Sequence, residues 1–119
     1  MKYTQETIIN APLSKTIKLF DDPDNLDKWQ PGFISMEHIS GEDGMSGAKY
    51  RLKYKIGKRK IEMIETIVER DLPRVFSATY EADKVWNEVV NRFEKTANNQ
   101  TKYIVENEFR MAGGMKILA

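Results

Sequence analysis

Residues 50–67 read YRLKYKIGKRKIEMIETI, and the alternation within them decides the fold. Tyr50, Leu52, Tyr54 and Ile56 fall on one side, while Arg51, Lys53 and Lys55 take the other. A side-chain period of two marks a half-buried antiparallel strand. Gly57-Lys58 offers a two-residue hairpin, the glycine supplying positive φ. That turn pairs Tyr54 with Ile61, Leu52 with Met63 and Tyr50 with Glu65, so a carboxyl group lands on the apolar face. On the opposite face Lys53 meets Glu62 and Lys55 meets Lys60.

Beyond this hairpin the same parity argument continues. A four-residue turn at 70–73 pairs Glu69 with Arg74 outside and Ile67 with Phe76 inside. The inner set runs on through Ala78 and Tyr80. Closure at Ala82-Asp83 then pairs Tyr80 with Val85, Ala78 with Asn87 and Phe76 with Val89. A five-residue loop around Asn98-Asn99 pairs Phe93 with Tyr103, Asn91 with Val105, Val89 with Asn107 and Asn87 with Phe109. A six-residue loop would turn Lys102, Glu106 and Glu108 inward instead, which the apolar count disfavours. Before residue 50 the chain reads as a strand over 2–10, bounded by Ala11-Pro12. A short helix follows, capped by Ser14 and carrying Ile17, Leu19 and Phe20. A second short helix is capped by Asp24, runs through Leu26 and Trp29, and ends at Pro31-Gly32. Residues 33–40 form the next strand, and 41–47 are a turn-rich connection.

The expected inner face is apolar yet carries Glu65, Asn87, Asn91 and Asn107. An unpaired amide or acid is costly to bury. Either these groups satisfy the backbone or sit at a wet rim, or they line a cavity and orient a ligand among apolar walls.

Composition narrows the chemistry. The 119 residues carry 19 Lys+Arg against 18 Asp+Glu, a formal charge of +1 that is no footprint for nucleic acid. The stretch RLKYKIGKRK (51–60) is basic, but its tyrosines and its cations face opposite sides, which argues for a solvated hairpin face rather than a stacking platform. There is no cysteine, hence no disulfide framework or thiolate nucleophile, and His38 is the single histidine, so multi-histidine metal sites are excluded. Four aspartates within 21–27 lack the ligand order of a calcium loop and read as helix caps. No metal or cofactor is expected. No apolar run approaches the roughly 20 residues of a membrane span. A soluble cytoplasmic protein with no membrane insertion is the expectation.

The order of one strand, two short helices and six antiparallel strands resembles the SRPBCC superfamily of START-like, pollen-allergen-like and polyketide cyclase/dehydrase-like domains. The phrases that carry the resemblance are INAPLSKTIKLFDDPDNLDKWQPG (9–32), SGEDGMSGAK (40–49), KIEMIETIVERDLP (60–73) and TKYIVENEFR (101–110). They are packing and turn patterns spread over most of the chain. The resemblance implies an α+β helix-grip fold, in which a curved antiparallel sheet of about seven strands wraps a long C-terminal helix over a ligand cavity. Trp29 and Phe33 match the small-helix side of the cavity mouth. Met63, Glu65, Tyr80, Asn87, Phe93 and Phe109 match the sheet floor. The chain departs from the pattern after Phe109, because a helix begun near Gly114 would extend only roughly 9 Å. Residues 1–119 are therefore expected to form a single domain lacking most of the gripping helix. The concave face left open would be a large apolar patch, so a homodimer is expected.

Function follows as an expectation of the same kind. The mixed apolar and amide face suits non-enzymatic binding or transport of a small hydrophobic ligand, with Asn107 and Met111 added to the residues above as pocket candidates. A polyketide cyclase- or dehydratase-like enzyme using Glu65 as its acid or base is the alternative. A protein-interaction module using the exposed sheet is a further one. On the outer face Trp86, Ile64, Val68, Val75, Val90 and Ile104 could form a second association surface.

Overall fold

The structure is a computed structural model that describes residues 2–25, 28, 30–97 and 99–111. Seven strands form one antiparallel sheet: β1 (Lys2–Ile9), β2 (Phe33–Ser40), β3 (Lys49–Ile56), β4 (Arg59–Asp71), β5 (Val75–Ala82), β6 (Val85–Ala97) and β7 (Gln100–Met111). Their order across the sheet is β1-β7-β6-β5-β4-β3-β2. Every sequential pair from β2 to β7 is thus a hairpin, and only β1 reaches its partner across the chain. The result is the α+β helix-grip fold with a curved sheet.

The β3–β4 hairpin has the register its alternation implies. Tyr50 pairs with Glu65, Leu52 with Met63, Tyr54 with Ile61 and Lys53 with Glu62. Tyr50 and Leu52 are buried and Ile56 is exposed, because the hairpin tip projects beyond its cover. The β6–β7 hairpin likewise pairs Phe93 with Tyr103, Asn91 with Val105, Val89 with Asn107 and Asn87 with Phe109.

Two turns between them differ from the sequence reading. Glu69 is not opposite Arg74, nor Ile67 opposite Phe76. Ile67 pairs with Ala78, a bulge follows at Val68, and then Glu69 pairs with Ser77 and Arg70 with Phe76. A bulge places two residues of one strand against one of the other, so every side chain beyond it changes face. Arg70, expected in the turn, therefore joins the inner face. Closure of β5 onto β6 is a two-residue turn one position later than expected, at Asp83-Lys84, with Lys84 at φ 60. It pairs Tyr80 with Asn87, Ala78 with Val89 and Phe76 with Asn91, two residues away from the expected register. A shift of two preserves parity, so the inner-face membership survives the error.

Helix α1 (Leu13–Phe20) starts earlier than a Ser14 cap allows. Pro12 is the N-cap, at φ −59 and ψ 151, and makes no side-chain cap bond. Its carbonyl already accepts the Thr16 N–H at 3.0 Å, so Ser14 lies within the first turn. The face turned to the sheet is Leu13, Thr16, Ile17 and Phe20, while Leu19 is 50 % exposed. Thr16 is buried, and its hydroxyl bonds Thr101 of β7 at 3.3 Å. Phe20 meets Phe93 edge-on at 4.9 Å and Phe76 at 5.9 Å. In place of the expected start of a second helix there is a 3-10 turn, Pro23–Asn25. Here the Asp22 carboxylate, not Asp24, accepts a backbone N–H, that of Asp24 at 2.9 Å. The expected continuation through Leu26 and Trp29 lies outside the described residues, as does the expected first turn of a C-terminal helix.

Gly32 lets the α1–β2 connection reach the sheet. It sits at φ +77 and a Cβ there would lie 2.3 Å from the Lys55 carbonyl. The Lys55 N–H in turn donates to the Gly32 carbonyl at 2.8 Å. The core beneath is Ala48, Tyr50, Leu52 and Ile67, with Met36, Tyr54, Met63 and Tyr80 packed against it. On the convex face Val75 is 1 % exposed and so is no part of an association surface. Trp86 there is half-buried, with the Arg110 guanidinium 4.7 Å above its ring.

Candidate functional site

The concave side of the sheet, α1 and the loops flanking β2 border an open cavity of about 820 Å³. That lies within the range of small-molecule pockets, roughly 300–1,000 Å³. Its floor comes from alternate residues of β3 to β7, which the period of two turns to the same side. Met36, Leu52, Met63, Ile67, Phe76 and Val89 give it apolar walls, and the methionines offer unbranched, polarizable surface.

Of the residues singled out in the sequence, Met63, Glu65, Tyr80, Asn87 and Phe109 line this cavity. Phe33, Phe93 and Asn107 do not. Phe33 packs edge-on against Tyr54 at 5.8 Å. Phe93 is buried under Phe20 and stacked on Tyr103 at 5.0 Å, which makes it core. Asn107 is half-buried opposite Tyr3 at the β1 end of the sheet. Trp29 and the Met111 side chain lie outside the described residues. Only the backbone of Met111 is placed, paired with Val85. His38 holds its own strand end, with Nε2 at 2.8 Å from the Gly41 carbonyl and 3.0 Å from that of Ser40.

Polar groups reach the cavity in two layers. Around the rim three contacts tie sheet to loops. Tyr54 donates to Gln30 at 2.6 Å, Tyr50 donates to Asp43 at 2.6 Å, and Arg70 forms a fork on Asp21 at 2.6 and 2.5 Å. The last pair joins the C-cap of α1 to the end of β4. Arg70, Asp21, Gln30 and Asp43 are polar lining residues that sequence reasoning missed, as it did Met36 and Met45. The sequence reading leaves Arg70 in the 70–73 turn, and no glycine announces the bulge that turns it in.

Deeper, the Tyr80 hydroxyl donates to the Glu65 carboxylate. Burial pushes the Glu65 pKa above the ordinary glutamate value of 4.5, and the tyrosine bond offsets part of that rise. Burial, then the Glu65 charge, raises Tyr80 well above its ordinary value and Tyr54 up to about 12. Tyr103 is pushed to about 12 by burial. The amides satisfy the protein itself. Asn87 donates to the Glu108 carbonyl at 3.0 Å, and Asn91 donates to the Phe76 carbonyl at 3.2 Å while accepting the Tyr103 hydroxyl at 2.5 Å. Among the described residues no cluster of three or more His, Asp or Glu could hold a metal ion.

The raised Glu65 pKa makes stability depend on pH. Below 4.5 the carboxyl is protonated in folded and unfolded chains alike and carries no penalty. As pH rises through the window above 4.5, the unfolded chain releases its proton first, so the folded state loses stability until its own, higher pKa is passed. Glu65→Gln is neutral throughout. Urea denaturation should therefore show the variant gaining on the parent between pH 4 and pH 8. Parallel stability curves would remove Glu65 from the buried position.

Comparison with known proteins places these features. The family described as polyketide cyclase / dehydrase and lipid transport matches residues 1–116. A comparison with curated proteins found no match. Among solved structures, Ara h 8.0201 superposes with a TM-score of 0.84 at 17 % identity, over 99 % of this chain and 82 % of that one. The Zhui aromatase/cyclase from Streptomyces sp. R1128 gives 0.80 at 13 % identity, over 97 % and 70 %. A START superfamily protein from Mycobacterium smegmatis gives 0.78 at 10 % identity, over 97 % and 80 %. Among the described residues no helix is long and apolar enough to cross a membrane. The chain belongs to the polyketide cyclase/dehydrase and lipid transport family, within the SRPBCC superfamily.

Proposed function

We propose that this protein binds or carries a small hydrophobic molecule in the cavity between the sheet and α1. The observation that carries this reading is the cavity of about 820 Å³, walled by Met36, Met63, Ile67, Phe76 and Val89. A core that existed only for stability would close such a space, because protein interiors pack to crystal-like density. Burying apolar ligand surface there is worth about 25 cal/mol per Å² before the costs of association. The test is titration with the neutral fluorophore N-phenyl-1-naphthylamine. Saturable one-to-one binding with a blue-shifted emission supports the reading, and absence of saturation at micromolar to millimolar probe contradicts it.

A second reading rests on one specific feature, the half-buried Glu65 carboxyl bonded by Tyr80. A carboxyl with a raised pKa beside a phenol can exchange a proton with a bound ketone or its enol. Polyketide-like diketones turned over by the parent protein and not by Glu65→Gln would establish it. Equal rates in the two proteins would leave Glu65 without a catalytic part.

A further inference from the structure

The proposed ligand site can be read further by asking which hydrogen-bonding capacity the cavity still offers, a step that rests on the binding reading above. Within the cavity the tyrosine hydroxyls donate to the protein itself. Tyr80 donates to Glu65, Tyr103 to Asn91, Tyr54 to Gln30 and Tyr50 to Asp43. Asn87 and Asn91 donate to the Glu108 and Phe76 carbonyls. The sheet floor still offers acceptors: a lone pair on each phenol, the Asn87 carbonyl oxygen and the Glu65 carboxylate.

Charge points the same way. Among the described residues the lining holds three carboxyl groups, Asp21, Asp43 and Glu65, against one guanidinium, and no lysine. That guanidinium, Arg70, is already forked onto Asp21. Glu65 has Tyr80 as its hydrogen-bond donor, but among the described residues no cation forms an ion pair with it. Glu65 is half-buried, and a partly desolvated carboxylate without a cation is disfavoured until a charged donor reaches it.

We infer that the molecule bound here is an apolar amine, whose ammonium group donates to Glu65 while its hydrocarbon body fills the methionine- and phenylalanine-lined space. A carboxylate or phosphate amphiphile would meet carboxylates of its own sign, and the one guanidinium beside it is already paired with Asp21. The same cavity therefore selects by charge as well as by apolarity.

Three probes with one ring system test this: 2-naphthylmethylamine, 2-naphthalenemethanol and 2-naphthoate, titrated calorimetrically at pH 7. The expected order is amine tightest, alcohol intermediate and acid weakest, with the amine at least about tenfold tighter than the acid. Glu65→Gln should reduce that ratio to about twofold or less. Glu88→Gln, on the opposite face of β6, should leave it unchanged. Alcohol binding with the amine no tighter overturns the amine assignment while leaving hydrophobic binding intact, and tightest binding by naphthoate does the same. Failure of all three to bind overturns both. The wild-type ratio decides the matter even if a variant does not fold.

Discussion

Phe93→Ala should destabilise the protein by about 3–5 kcal/mol, the range for removing a buried phenylalanine ring. The parity of β6 turns Phe93 inward with Val89 and Asn91, and on that basis alone it is a candidate for touching ligand. The structure places it otherwise. Its ring is 5 % exposed, stacked on Tyr103 at 5.0 Å and met edge-on by Phe20 at 4.9 Å. Through Phe20 it anchors α1, which packs on β6 and β7. Truncation would leave a void between helix and sheet that backbone of regular strand cannot collapse to fill. Urea denaturation with an unchanged m-value measures this directly. A loss under about 1 kcal/mol together with weakened probe binding would make Phe93 a ligand residue after all.

Val89→Trp is the opposite kind of change and carries the second large effect. Val89 lies at the centre of β6, between Ala78 of β5 and Asn107 of β7, half-buried and lining the cavity. An indole there grows into empty space, so the overpacking cost of about 1–3 kcal/mol is largely avoided. The ligand meets it instead. Affinity for N-phenyl-1-naphthylamine should fall about a hundredfold, the equivalent of roughly 2.8 kcal/mol, while the thermal midpoint stays within a few degrees of the parent. Undiminished affinity in a folded variant would place the probe elsewhere on the molecule.

How far these residues could be read from sequence follows from what a period of two can carry. Alternation in 50–56 and the short Gly57-Lys58 turn place Tyr50, Leu52, Met63 and Glu65 on one face without any long-range information. The same logic survives a turn misplaced by one residue at Asp83-Lys84, because slipping the register by two leaves each side chain on its face. It cannot survive an insertion of one. The Val68 bulge brings Arg70 inward, and nothing local in Ile67-Val68-Glu69 distinguishes it from uninterrupted strand. Nor does alternation say what covers an inward residue. Phe93 and Met63 read alike along their strands, yet Phe20 lands on one and open space on the other. Asn87 and Asn91 were legible as inward amides. That both donate to backbone carbonyls of neighbouring strands is tertiary information, and it is what converts them from ligand donors into sheet fastenings.

The central claim is that a small apolar molecule enters the space over the concave face of the sheet. Methyl-detected NMR during titration with N-phenyl-1-naphthylamine tests it most directly. Met36, Met63, Ile67 and Val89 should shift progressively and saturably, while Ile8 and Val68, both exposed and outside the cavity lining, stay still. Shifts confined to Ile8, Val68 and other exposed methyls, with Met63 and Ile67 unmoved, would contradict it.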